Sequence, residues 1–270
     1  MPNATTSGSP TISSDPLAAR FTAWRRNGRC ALIPYLTAGF PTPQDTLPLL
    51  RTLARAGADI IELGVPFSDP VADGPTIQRS SQIAIEHGTT LGWTLAQLKQ
   101  FRLEHDTPVI IFTYLNPILR YGTQKFIDDA VAAGAQGVLI TDLPAGGDAA
   151  LEAAVASSPL ALIRLVAPTT EPARFREIAE GAQGFIYYIA RMGVTGARGD
   201  LPAELLDAVR ELRSMTDVPI AVGFGVSSAD QVAAIAGVAD AVVVGSALID
   251  AIARDGVAGA DAFIRSLRAS

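Results

Sequence analysis

From residue 31 onward the chain repeats one pattern: a short run rich in Val, Ile, Leu or Tyr, a loop with Gly, Pro or Thr, then an Ala/Leu-rich stretch with helical spacing. The apolar runs fall at 31–36, 59–63, 109–113, 137–141, 160–165, 184–189, 219–223 and 241–244, which predicts eight strands. They lack polar alternation, as expected of strands covered on both faces. Helical stretches separate them at 44–56, 76–87, 90–104, 123–133, 147–156, 171–180, 202–215, 228–236 and 257–268. A helix between consecutive strands makes the strands parallel, with right-handed crossovers. An earlier amphipathic run at 16–27 puts Leu17, Phe21 and Trp24 on one side and is expected to plug the bottom of a barrel.

A second periodicity supports the same reading. Ala56-Gly57-Ala58-Asp59 has relatives in Ala133-Gly134-Ala135-Gln136 and Gly237-Val238-Ala239-Asp240, each just before a strand. Glycine there is expected to end a helix in a left-handed turn and return the chain to the barrel floor. Eight such units predict an α/β fold: a single-domain (β/α)8 TIM barrel over 15–270, with an N-terminal extra helix and extra helices after strands 2 and 8. A doubly wound open sheet is the competing arrangement. It wants a Gly-rich fingerprint after the first strand, and Thr37-Ala38-Gly39-Phe40-Pro41 is not one.

Composition narrows the function. The formal charge is −6 with a pI near 5.0, and the charges are interspersed, which argues against a nucleic-acid or acidic-membrane surface. One cysteine, Cys30, excludes an internal disulfide and a Cys-based zinc cluster and suits the cytoplasm. Its expected role is that of a small buried hydrophobe rather than a nucleophile. No apolar run is long enough to span a membrane. Residues 1–14, rich in Ser, Thr, Pro and Asn, lack the features of a signal peptide and are expected to be a disordered tail.

Barrels of this kind carry chemistry at the C-terminal ends of the strands, with phosphate often bound after strands seven and eight. Those places read Gly223-Phe224-Gly225-Val226-Ser227-Ser228 and Gly245-Ser246-Ala247, and the loop after strand six reads Gly193-Val194-Thr195-Gly196. Small residues let the backbone N–H groups approach an anion, and a short helix over 246–252 would add its N-terminal dipole. The plainer reading is that these residues only make turns and caps; Ser227 with Asp230 resembles a capping box.

Elimination then shapes the chemistry. Schiff-base catalysis needs a lysine at a strand end, yet Lys99 and Lys125 fall in helical stretches. His87 and His105 lie near helix ends and form no metal cluster. What remains is proton transfer by carboxylates. Glu62, at the end of a strand between Ile61 and Leu63, is expected to be desolvated and to act as a general acid. Asp73, in a loop stiffened by Pro66, Pro70 and Pro75, would stay ionised and stabilise positive charge. Asp69 fits a turn or contact residue better than a catalyst.

The run Glu62-Leu63-Gly64-Val65-Pro66-Phe67-Ser68-Asp69-Pro70-Val71-Ala72-Asp73-Gly74-Pro75-Thr76-Ile77-Gln78 closely resembles the signature of the tryptophan synthase α-subunit family. The resemblance extends to Pro34-Tyr35-Leu36-Thr37-Ala38-Gly39, Tyr114-Leu115-Asn116-Pro117, Arg191-Met192-Gly193-Val194-Thr195-Gly196, Gly223-Phe224-Gly225 and Gly245-Ser246, and covers the chain from about residue 17 to its end. It implies retro-aldol cleavage of indole-3-glycerol phosphate to indole and glyceraldehyde 3-phosphate, without a cofactor in this chain. Glu62 and Asp73 would be the catalytic pair, with Asp73 holding the indole N–H. Tyr35, Phe112, Tyr114, Leu139 and Tyr187 would line the site. Gly196, Phe224, Gly225, Gly245 and Ser246 would hold the phosphate, and Thr195 would close over it and meet Asp73. The implied partner is a β subunit carrying pyridoxal phosphate in an α2β2 assembly, met near Asp69 and Asn116. Thr141 and Ala145-Gly146-Gly147 depart from the family's usual pattern. A stand-alone lyase and a non-catalytic regulatory subunit are the competing readings.

Overall fold

The computed structural model describes residues 15–189, 203–223 and 225–268. Its order is α1 (Pro16–Arg26), β1 (Ala31–Thr37), α2 (Thr46–Ala56), β2 (Ile61–Gly64), α3 (Pro75–Glu86), α4 (Leu91–Phe101), β3 (Val109–Thr113), α5 (Leu115–Tyr121), α6 (Thr123–Ala133), β4 (Gly137–Ile140), α7 (Ala149–Ala156), β5 (Ala161–Val166), α8 (Pro172–Glu180), β6 (Ile186–Ile189), α9 (Ala203–Ser214), β7 (Ile220–Gly223), α10 (Ala229–Ala236), β8 (Ala241–Val244) and α11 (Ser246–Arg268). All eight strands pair in parallel, and β1 pairs with β8 to close the barrel. The open-sheet alternative is excluded by that closure.

Each predicted strand is present. The extra helices after β2 and β8 are present too, the latter as the first part of α11, which breaks at Gly256 (φ 58°, ψ −139°). One further helix, α5, is not among the expected ones. Pro117 occupies its first turn, where no amide bond is lost. The tail at 1–14 lies outside the described residues.

Two apolar layers hold the barrel. The outer one lies between strands and helices; the inner one contains Ile33, Ile110, Leu139, Ile163, Phe185 and Val243. Helix α1 closes the inner layer from below as expected: Leu17 and Phe21 are buried in it, and Phe21 packs against Phe185 at 5.7 Å between ring centroids. Cys30 packs at the edge of the outer layer, where burial pushes its thiol up to about 12 and disfavours the thiolate that a nucleophile needs.

The quasi-repeat turns out to have a job at the barrel floor. Asp59 Oδ2 accepts the Leu32 amide at 2.9 Å, Gln136 Oε1 the Val109 amide at 2.8 Å, Gln183 Oε1 the Leu162 amide at 3.1 Å and Asp240 Oδ2 the Ile220 amide at 2.8 Å. The residue leading into each even strand therefore satisfies an amide at the start of the preceding odd strand, where a buried N–H would otherwise be orphaned. The left-handed glycines are found at Gly57 (φ 109°) and Gly134 (φ 85°), but Gly237 has φ −69° and ends α10 without one. The shared feature of the repeat is thus the side-chain acceptor rather than the glycine.

Two of these acceptors are acids, and they gather arginines from distant segments. Asp240 binds Arg25 of α1 through both oxygens (2.7 and 2.8 Å) and Arg213 of α9 at 3.2 Å; Asp59 binds Arg29 at 2.8 Å and also Arg268 of α11. Asp240 is itself 3% exposed, while both of its arginines reach water. Asp240→Ala is therefore expected to destabilise the fold by about 2–3 kcal/mol, at or below the low end for breaking a buried pair because the arginines left behind reach water, as read by urea denaturation.

Candidate active site

At the C-terminal ends of the strands the barrel opens into a cavity of about 550 Å³. Its wall includes Tyr35, Glu62, Asp73, Phe112, Tyr187, Gly225, Gly245 and Ser246, all foreseen from the sequence, together with Thr141, Ile189, Gly223 and Val243, which were not assigned to the site. The period of two along each strand explains the second set: Ile189 follows Tyr187 inward on β6, and Thr141 lies just beyond β4.

Glu62 stands near the middle of β2 in the barrel register, opposite Tyr35 on β1 and Ile110 on β3. It is fully buried, and neither carboxylate oxygen has a hydrogen-bond partner among the described residues. Burial alone pushes its carboxyl up to about 8. Asp73 projects from the loop after β2 and is only partly buried; desolvation raises it to about 6, with the Tyr114 hydroxyl pulling the other way. At neutral pH the pair is therefore split, Glu62 mostly protonated and Asp73 mostly ionised. Two carboxyls with opposite states in one cavity are suited to give a proton and to hold the positive charge that results.

The aromatic residues are seated by glycine. Tyr35 meets Phe112 edge-on at 5.0 Å, and its hydroxyl lies over Gly64, where a Cβ would come within 2.2 Å of it. Across the mouth Tyr187 lies over Gly223 in the same way, with the hydroxyl 2.4 Å from where a Cβ would be. In both cases the tyrosine sits on strand n and its glycine two residues beyond the tyrosine's partner on strand n+1. Both phenols are pushed well above their ordinary range, first by burial and then by the nearby carboxyls, so they stay neutral.

Two further expected lining residues are buried beside the cavity. Leu139 is fully buried in the inner core, in register with Phe112 of the cavity wall. Tyr114 is buried behind the loop after β2, where its ring packs on Phe67 at 5.0 Å and its hydroxyl accepts the Ala72 amide at 3.1 Å. It anchors the loop that carries Asp73, and the same hydroxyl meets the Asp73 carboxyl. Tyr114→Phe is expected to lower kcat/KM about fivefold, the equivalent of one lost hydrogen bond of about 1 kcal/mol, measured by steady-state kinetics.

At the far side of the cavity, Gly225 (φ 69°), Gly245 and Ser246 bring backbone to the rim, and Ser246 begins α11. Gly225 and Gly245 leave the space a side chain would fill open or loosely contacted, as backbone approach to an anion requires. The helix cap in this region is Ser228, accepting the Gln231 amide at 3.4 Å, and not Ser227 with Asp230. Thr195, Gly196 and Phe224 lie outside the described residues. Asp69 is exposed in its loop, bonded to Ser68 at 2.5 Å, and takes no part in the cavity wall. Among the described residues no group of three or more His, Cys, Asp and Glu side chains is placed to hold a metal, and no helix is long and apolar enough to cross a membrane.

A family model described as tryptophan synthase alpha chain matches residues 21–267, nearly the whole barrel with its cavity. The chain belongs to the tryptophan synthase alpha chain family. The tryptophan synthase alpha chain of Chloroflexus aggregans is 45% identical over 252 residues, covering 92% of this chain and 94% of the relative. That of Xanthomonas campestris pv. campestris is 48% identical over 241 residues, covering 88% and 89%. Among solved structures, tryptophan synthase subunit alpha from Legionella pneumophila superposes with a TM-score of 0.87 at 35% identity, covering 95% of this chain and 98% of that one. A Mycobacterium tuberculosis tryptophan synthase chain gives 0.87 at 38% identity with the same coverage. The tryptophan synthase alpha family is thus matched in sequence and fold together.

Proposed function

We propose that the chain cleaves indole-3-glycerol phosphate to indole and glyceraldehyde 3-phosphate, with Glu62 and Asp73 as its catalytic residues. As a member of the tryptophan synthase alpha chain family it is a carbon–carbon lyase. The observation that carries the residue assignment is Glu62: a fully buried carboxyl without a hydrogen-bond partner among the described residues, facing the same cavity as a partly buried aspartate of lower pKa. Burying such a group is unfavourable unless a bound molecule uses it.

The proton inventory closes on these two residues. Protonated Glu62 gives its proton to C3 of the indole ring, and the positive charge that spreads to the ring nitrogen is stabilised by ionised Asp73 through the N–H. Glu62, now a carboxylate, takes the proton of the hydroxyl next to the ring as the carbon–carbon bond breaks. The bond's electrons return to the indole, the aldehyde leaves, and Glu62 is again protonated. No cofactor is required of this chain. A group of pKa near 8 is strong enough as acid and as base to serve both steps near neutrality. Tyr35, Phe112 and Tyr187 bound the indole, while Gly225, Gly245 and Ser246 take the phosphate; Gly196, Phe224 and Thr195, outside the described residues, are assigned to the same ligand.

The partner is a β subunit that receives the indole and carries pyridoxal phosphate, in an α2β2 assembly located in the cytoplasm. Val71 and Leu119, 77% and 50% exposed, stand beside Asp69 and on the helix of Asn116, the two segments assigned to that contact. The barrel over 15–270 acts as one domain, with 1–14 as a tail. An indole-release assay on the purified chain tests the reading. Release that rises when a β subunit is added is expected; equal rates with and without it would favour a stand-alone lyase, and no release in either case would leave only a binding role.

A further inference from the structure

Tyr35 is fixed on one side by Gly64 and Phe112, and on another by hydroxyls that do not line the cavity. Thr37, two residues on along β1 and fully buried, places its Oγ1 3.3 Å from the Tyr35 hydroxyl and 2.7 Å from Ser80 Oγ. Ser80, also fully buried, lies on α3 and donates to the Ile77 carbonyl at 2.9 Å. Helix α3 begins at Pro75 with Gly74 as its cap, directly after Asp73, and Gln78 Nε2 donates to the Asp73 carbonyl at 3.0 Å. A string of three buried hydroxyls thus runs from the strand beside Glu62 to the helix behind Asp73.

We propose that Thr37 and Ser80 are positioning residues for the cleavage: through the Tyr35 hydroxyl they lock the wall next to Glu62 to the helix that sets Asp73. This rests on the functional reading above. Apolar packing alone would be served better by valine at 37 and alanine at 80, because buried hydroxyls must all be satisfied at once. Each hydroxyl has a single hydrogen, so the string is satisfied only in one direction at a time, and removing its middle member breaks both links. The two carboxyls come from different elements, a strand and a loop, and a misplacement of about 1 Å between such groups is enough to cost roughly 10²-fold in rate.

Double-mutant cycles of indole formation, with the β subunit present, test this. Thr37→Val and Ser80→Ala are each expected to lower kcat about tenfold with KM nearly unchanged, and Thr37→Ser to restore it. In a Tyr35→Phe background the same substitutions are expected to add less than about twofold, since the hydroxyl they act through is gone. If Thr37→Val fails to fold, the Ser80→Ala and Tyr35→Phe cycle gives the same reading. An undiminished kcat in the folded Thr37→Val protein, or the full loss repeated in the Tyr35→Phe background, overturns the inference while leaving the lyase assignment intact. Absence of indole from the parent chain would remove both.

Discussion

Glu62→Gln is expected to lose indole formation and to melt higher than the parent at pH 8.5. The loss of rate should be about 10²–10⁴-fold, the usual contribution of a positioned acid–base group, and larger if both proton transfers fail. The gain in stability follows from linkage. The folded carboxyl is raised to about 8, while an unfolded glutamate ionises near 4.3, so the folded state holds more protons across that interval. Stability contributed by this group is therefore full below the unfolded value and falls as pH rises toward about 8. A glutamine does not ionise and escapes that fall, which is worth on the order of a few kcal/mol at pH 8.5 and almost nothing at pH 4. Thermal denaturation of both proteins at the two pH values measures it. A variant that melts below the parent at pH 8.5 would contradict the buried, protonated state of Glu62. Activity and stability are opposed at this residue, as at other sites where a strained group does the chemistry.

Asp73→Asn is expected to be the next most damaging change, about 10²–10³-fold in kcat, because it removes the charge placed where positive charge develops. Its signature is in the pH profile. In the parent, activity should fall as pH drops through about 6, where Asp73 takes up a proton. The asparagine variant should keep only residual activity and lose that acid limb, while the alkaline limb stays. Initial rates of indole formation between pH 5 and 9 separate this from a general loss of structure. An acid limb that persists unchanged in the variant would assign it to another group.

The strands were legible because apolar runs covered on both faces are continuous and are punctuated by Gly and Pro, and Glu62 stood out as an acid inside one of them. Less legible was anything decided by contact rather than by local pattern. That Tyr114 anchors the loop after β2 was not legible, since nothing in Tyr114-Leu115-Asn116-Pro117 shows that Ala72 comes to its hydroxyl. Leu139 lies in the inner core in register with Phe112 of the cavity wall, a placement that needs the strand pairing to be seen. Thr141 was noticed only as a departure from the family pattern, yet it is part of the cavity wall. The Asp59 and Asp240 repeat was visible, but its purpose was read from the glycine; the acceptor role needs the neighbouring strand's amide to be seen. Thr37 stood in a quoted motif and Ser80 in none, and their contact, between residues 43 positions apart, exists only once the fold joins them.

The central claim is that Glu62 works from its protonated form because the barrel buries it. The most direct measurement is kcat/KM for indole formation from pH 6 to 10 in the parent protein with its β subunit. The expected result is a maximum near neutrality and a decline through about pH 8, as Glu62 loses the proton it must donate. A rate that holds level or climbs through pH 9 would show that an ionised Glu62 is competent, and would contradict the account.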